Sequence, residues 1–391
     1  MTIPALLSHG FRPFFLVAAI WGGAAVPLWL LAHSGSLRLS NAYGDLNWHA
    51  HELIFGYAVA VVCGFLLTAI PNWTGRLPVR GWRVLMLALV WGFGRIAMLC
   101  ADTIGISAVA AADLLFLIMI VGIALREIIA GRNWRNLRVL VPVGALLAGN
   151  ILFHVSVLSG ETTDLALRIS IAALIALVAL VGGRITPSFT RNWLAKQKAT
   201  RFPAPFDRLD AFALAVTLLG LLSWAAIPDG AITATLAFAA AALLALRLLR
   251  WRGWATWREP LLAILHVGYS FVPIGFLLLG LSVLGPDLVP AGAALHAWTA
   301  GAIGTMTLAV MTRTTLGHTG RDLTASRGTV GIYAAMIGAA LLRVAAPFAP
   351  SLYLPLLVAA AVMWSVALFG FVVLYGPILT SARSPRVRAQ A

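Results

Sequence analysis

The chain has 391 residues, of which 61% are hydrophobic and only 10% charged, with a mean hydropathy of +0.94. A soluble domain carries about a quarter charged residues, so this composition excludes a water-soluble enzyme or binding module. The net charge of +15 would suggest nucleic acid in a soluble chain; here it reads as the Lys and Arg excess of cytoplasmic loops, and no nucleic-acid partner is expected.

Apolar runs, cut at charge clusters and Pro/Gly turns, predict twelve spans of a lipid bilayer. They cover residues 11–33, 50–70, 82–101, 105–126, 138–158, 166–186, 208–227, 231–249, 260–284, 291–312, 328–347 and 352–377. The fold class is all-α, a polytopic transmembrane helical bundle forming a single domain over 1–391. The first run has no basic leader and no cleavage site, so it is expected to be retained. A loop over about 187–207 separates spans 1–6 (11–186) from spans 7–12 (208–377), and a basic tail covers 378–391. Cys63 and Cys100 both lie in apolar runs, so no disulfide framework is expected. There is no CxxCH for covalent haem attachment.

Charge tests the count. With the N-terminus inside, the even-numbered loops, Arg12 and the tail hold 24 of the 28 Lys and Arg residues. Outside loops keep Arg38 and Arg168, and Arg95 and Arg343 fall within spans. One extra or missing span would scramble this alternation. Both termini are therefore expected in the cytoplasm.

Ionisable groups at membrane depth are functional hypotheses by default. The topology sorts the eight histidines. His33, His49, His51, His154 and His296 fall towards the outer face, and His9, His266 and His318 towards the inner. In Trp48-His49-Ala50-His51-Glu52 the two histidines are ~200° apart on a helix, so they face opposite ways, and Glu52 shares the side of His49. The alternative is a solvated pair at a helix start. His154 lies ~6 Å and His296 ~8 Å from the outer span ends, depths matching that of His51. Three imidazoles at one level could ligate haem iron or copper; each alone could equally be a buried, hydrogen-bonded side chain. After His296, the small residues Ala297, Ala300, Gly301 and Gly304 suit close helix packing or a flat macrocycle.

Arg95 is expected to face the bundle and pair with an anion: Asp113, Glu127 or a haem propionate. His266 lies one and a half turns into span nine. The segment Arg313-Thr314-Thr315-Leu316-Gly317-His318-Thr319-Gly320-Arg321 reads as an inner loop able to hold a carboxylate or phosphate, or as an ordinary positive-inside loop.

Several of these stretches together resemble the NnrS family. They are Phe11-Arg12-Pro13-Phe14-Phe15, the Trp48–Glu52 stretch, Gly64 to Gly75, Gly183 to Asn192, His296 to Gly304, and Met311 to Arg321. The resemblance implies a multi-pass protein of the bacterial inner membrane containing non-covalent haem and copper. It also implies a link to denitrification and nitric oxide tolerance, with nitric oxide (NO) as a ligand. The positions most like family ligands are His49, His51, His154, His266, His296 and His318. Arg95 and Arg313 are added as partners for cofactor carboxylates. The alternative function is a twelve-span transporter of haem, copper or a metal complex, with the histidines as transit ligands. A third is a membrane scaffold with packed histidines.

Overall fold

The structure, a computed structural model, describes residues 3–39 and 42–384. Arg386 and Arg388, counted above in the tail, lie outside them. Twelve helices among the described residues are long and apolar enough to cross a membrane, and no strand occurs among them. They are α1 (Phe11–His33), α2 (Asp45–Thr74), α3 (Trp82–Leu99), α4 (Ile106–Ala130), α5 (Trp134–Ser159) and α6 (Asp164–Lys196). The chain continues through α7 (Arg208–Ala226), α8 (Ala231–Leu249), α9 (Pro260–Leu284), α10 (Ala291–His318), α11 (Arg327–Phe348) and α12 (Pro350–Thr380).

The helix faces fit lipid outside and polar groups inside. On α3, Leu89, Phe93 and Ile96 are exposed, while Trp91, Arg95 and Met98 are buried. The two stripes run at helical spacing on opposite sides, so the charged residue lies on the inward stripe. Helix ends carry ordinary stop and start signals. Gly75 closes α2 in the left-handed region at φ 69°. Asp207 caps α7 reciprocally with Asp210, and the Ser326 hydroxyl accepts the Thr329 N–H at 3.1 Å ahead of α11.

Three helices overrun the expected boundaries by five residues or more at one end. α2 begins at Asp45, so His49 and His51 lie inside a helix. α6 passes through Pro187 to Lys196, where a loop was expected. α10 continues to His318, so Arg313 and most of the expected 313–321 loop are helical. α2, α6 and α10 also each contain a π-helical stretch: Glu52–Ala58, Val178–Gly182 and Ala297–Gly304.

The chain clusters into two compact units. The first comprises Met1–Ser170, Met311–Leu323 and Leu368–Ala391, the second Ile171–Val310 and Thr324–Ala367. In the first, Phe11, Phe14, Phe15, Trp48 and Phe153 are fully buried. In the second, Trp298 fills a comparable place, its indole N–H donating to the Val272 carbonyl at 3.1 Å. The second unit also buries Arg247. Its Nε donates to Asp210 Oδ1 at 2.7 Å, and its Nη1 donates to the Tyr269 hydroxyl at 2.9 Å and the Ala179 carbonyl at 3.1 Å. Its Nη2 donates to the Gly183 carbonyl at 3.4 Å. That carbonyl lies four residues before Pro187, which has no N–H to offer it. Arg247 supplies the missing donor, and α6 can continue past its proline.

Candidate metal centre

In the first unit α2, α3, α4 and α5 bring a set of polar side chains together in an apolar surrounding. His51, Glu52, Arg95, Asp113, Asn150 and His154 are all at most 4% exposed. Asp113 is the hub. Its Oδ2 lies 3.2 Å from His51 Nε2 and 3.2 Å from His154 Nε2, and it accepts from Asn150 Nδ2 at 2.7 Å. Its Oδ1 accepts from Arg95 Nη2. Arg95 also donates from Nη1 to Glu52 Oε1 at 2.7 Å. Trp21 Nε1 donates to Glu52 Oε2 at 2.6 Å.

The backbone makes room for this convergence. Gly94 lies against Asp113, where a Cβ would come 3.2 Å from the Asp113 Cα. That contact lets α3 and α4 approach closely enough for Arg95 to reach its carboxylate. A Cβ on Gly56 would meet Trp21 Nε1, Glu52 Oε2 and Arg95 Nη1 at 2.8–3.0 Å. Gly56 lies within the π-helical stretch of α2, one turn after Glu52.

The outer nitrogens of both imidazoles are engaged. His51 Nδ1 is 3.0 Å from Glu52 Oε1, and His154 Nδ1 is 2.9 Å from the Tyr43 hydroxyl. Burial, reinforced by the nearby Glu52 charge, holds the Tyr43 phenol above its usual range, so it remains a neutral hydroxyl. Ligating histidines commonly use one nitrogen for the metal and the other for an orienting partner.

A carboxylate can only accept, so His51 Nδ1 carries the proton. In the neutral ring Nε2 then holds a lone pair. It faces two acceptors, Asp113 Oδ2 at 3.2 Å and Asn150 Oδ1 at 3.2 Å. The Asn150 amide orientation follows from its short donation to Asp113. Lone pairs meeting lone pairs in a buried site need a proton or a cation between them. The charge count agrees: two carboxylates face one guanidinium, leaving one negative charge in excess when the imidazoles are neutral. Either an imidazolium or a bound cation closes that balance.

His51, Asp113 and His154 each offer one ligand atom, all within 4.8 Å of one another, and could hold a metal ion. Two imidazoles and a carboxylate suit a first-row transition metal. The space between the two Nε2 atoms suits an ion; a macrocycle between these imidazoles would have to displace Asp113 and Asn150.

Among the expected ligands, this cluster unites His51 and His154, with Arg95 as their charge partner. His49 turns away from His51, as the helical angle predicts, and packs on Trp29 with ring centroids 4.2 Å apart; His33 stacks on the same indole at 5.4 Å. Glu52 departs from expectation. It sides with His51 rather than His49, because the π-helical stretch begins at this residue and rotates its side chain inward. Of the anions expected as candidates for Arg95, Asp113 is the one it meets, whereas Glu127 pairs with Arg76 instead. His318, in the same unit, packs on Phe11 at 5.6 Å, and Arg313 sits within α10.

The other two expected ligands belong to the second unit. His266 Nε2 is 2.9 Å from the Thr190 hydroxyl, and its Nδ1 is buried without a hydrogen-bond partner. His296 Nδ1 donates to the Gly292 carbonyl at 2.7 Å, making Nε2 the basic nitrogen of its neutral ring. The small residues after it serve helix packing. Added Cβ atoms would stand 2.4 Å from the Phe271 ring at Gly301 and 2.6 Å from the Trp364 ring at Gly304. Asn150 and Tyr43 were missed from sequence. Asn150 could have been found, since it lies one helical turn before His154 on the same face.

The fold and this cluster together define a class: a polytopic α-helical membrane protein enclosing a histidine–carboxylate group of metal-ligand chemistry. Within that class the chain belongs to the NnrS family, whose model, described as NnrS protein, matches residues 5–383. No curated protein matches the chain.

Proposed function

We propose that His51, Asp113 and His154 hold copper in a bacterial inner-membrane protein of the NnrS type that also carries haem and limits nitric oxide stress during denitrification. The observation that carries the copper assignment is the meeting of the His51 Nε2 lone pair with two acceptor oxygens in a sealed, net-negative cluster. Copper bound there would supply a redox-active ion able to take NO as a ligand. Glu52 and Tyr43 would orient the two imidazoles, and Arg95 would pair with both carboxylates. Asn150 would present its amide beside the ion. Haem would be held by His296, whose Nδ1–H donates to the Gly292 carbonyl, so that Nε2 is the basic nitrogen of the neutral ring. The enclosure of His51 favours a resident ion over cargo, and so a redox or sensing role over transport. Lys and Arg placement supports both termini lying in the cytoplasm.

The test is metal analysis and absorption spectroscopy of purified protein, with and without NO. Copper should be present and should be lost in His51→Ala and His154→Ala but kept in His49→Ala. A Soret band that shifts on NO addition should disappear in His296→Ala. A colourless, metal-free protein with native thermal unfolding would refute the proposal. Copper retained in both cluster variants would move the site elsewhere.

A further inference from the structure

The Phe11-Arg12-Pro13 motif and the end of α10 take no part in the metal centre, yet they meet each other in the first unit. Arg12 is 2% exposed at the start of α1. Its Nη1 donates to the carbonyls of Leu379 at 2.8 Å and Ser381 at 2.7 Å. Arg321, three residues beyond α10, donates from Nη2 to the Ser381 hydroxyl at 3.1 Å. Both guanidinium groups thus converge on Ser381, the residue after α12. The Ser384 N–H adds a bond to the Thr319 carbonyl at 3.0 Å, tying the same chain ends together.

This convergence leaves positive charge and donors over. Arg12 Nε and Arg321 Nη1 are both buried with no hydrogen-bond partner. A buried guanidinium N–H without an acceptor is costly. His318 and His9 flank the pair through Phe11, with ring centroids 5.6 and 6.0 Å from it. Arg383 lies beside Gly320, its Nε 3.5 Å from where a Cβ would stand. Burial first, then the charges of Arg12, His318, Arg383 and Arg80, hold the His9 imidazole below its usual range. Among the described residues no carboxylate pairs with Arg12, Arg80, Arg321 or Arg383. Asp322, next in sequence, is exposed.

We infer that Arg12 and Arg321, with His9 and His318 at the rim, form a binding site for a phosphate group at the ends of α1, α10 and α12. Two guanidinium groups, each with a buried donor left over, match a phosphate's several acceptor oxygens and multiple charge better than a single carboxylate. The floor is buried, whereas His318 and Arg383 are exposed, so an anion can enter from that side. Three helices end here, at the level of lipid headgroups in a spanning bundle. The phosphate can therefore belong to an anionic lipid or to a soluble compound. The inference does not depend on the metal reading.

The experiment measures thermal unfolding of purified protein in two arms. One titrates inorganic phosphate against sodium chloride at matched ionic strength. The other compares nanodiscs of phosphatidylglycerol with nanodiscs of phosphatidylcholine. Wild type should gain saturable stabilisation, from phosphate if the site takes solutes, or from phosphatidylglycerol alone if it takes lipid. Arg321→Gln should weaken the apparent affinity about tenfold or more, as expected for one lost charge-assisted bond. His318→Gln, at an exposed rim position, gives a second variant should Arg321→Gln fold poorly, and should weaken binding more mildly. No stabilisation of wild type in either arm overturns the inference, as does an unchanged response in the variants.

Discussion

Asp113 is the residue on which the candidate metal centre turns, because one carboxylate meets two imidazoles, an amide and a guanidinium. Asp113→Asn should abolish metal retention and also leave Arg95 with only Glu52. Removing one partner of a buried ion pair costs on the order of 3–5 kcal/mol, so thermal unfolding should fall steeply as well. Glu52→Gln separates the two effects: the candidate ligand set stays intact, so the proposed copper should persist at reduced occupancy while stability drops. A variant that loses neither metal nor stability would show that Asp113 is not the hub. Gly56→Ala tests the same cluster without touching a polar group, since its Cβ would press on Trp21, Glu52 and Arg95 at once. Overpacking of this kind costs about 1–3 kcal/mol, measurable as a lower Tm. The histidines and Arg95 were legible in sequence because charged or titratable groups are conspicuous in apolar runs. What was not legible was which of them meet. The inward turn of Glu52 depends on a π-helical stretch that apolar periodicity does not signal. The role of Tyr43 depends on a connection folding back over His154.

At the scale of elements, α6 shows how a local rule was overridden. Pro187 predicted a helix end near residue 186, and the helix instead continues because Arg247 satisfies the Gly183 carbonyl from another helix. The two residues should be energetically coupled. Arg247→Met should destabilise the protein strongly, since Asp210 loses its buried partner. Pro187→Ala should soften that loss by restoring a backbone donor to Gly183, with a coupling of about 0.5–1.5 kcal/mol in a double-mutant cycle. Strict additivity would mean that the carbonyl is satisfied in another way. The start of α7 gives a pH prediction. Asp207 is held down to about 2, first by its bond to Arg250, against 3.8 in the unfolded chain. Its folded-state value is depressed, so its stabilising effect is complete above 3.8 and is lost as pH falls towards 2. Hydrogen exchange at the first turn of α7 should therefore quicken over that window, and Asp207→Asn should remove the pH dependence. The pair is solvent-exposed, so high salt should blunt the effect.

At the scale of the whole molecule, the number and order of spans were readable because bilayer thickness imposes a length on every apolar run. The ends were less readable, since polar residues such as Arg313 and Asn192 can continue a helix beyond the hydrocarbon layer. The charge asymmetry makes a directional prediction. Reporters fused after α12 should be active only in a cytoplasm-dependent form, and a reporter placed between α5 and α6 only in a periplasm-dependent form. The opposite pattern would reverse the proposed orientation. One feature bears on how the protein is made. His51 lies on α2, whereas Asp113, Asn150 and His154 arrive on α4 and α5. A ribosome feeding the membrane from the N-terminus therefore exposes one lone imidazole long before its companions exist. On the proposed reading, metal loading must wait until the fifth helix has been inserted, and a newly made chain passes through an interval in which Arg95 has Glu52 but not yet Asp113. Quality control that acts in that interval would see an unfinished polar pair in lipid, which α4 completes with Asp113 and α5 then covers with Asn150 and His154.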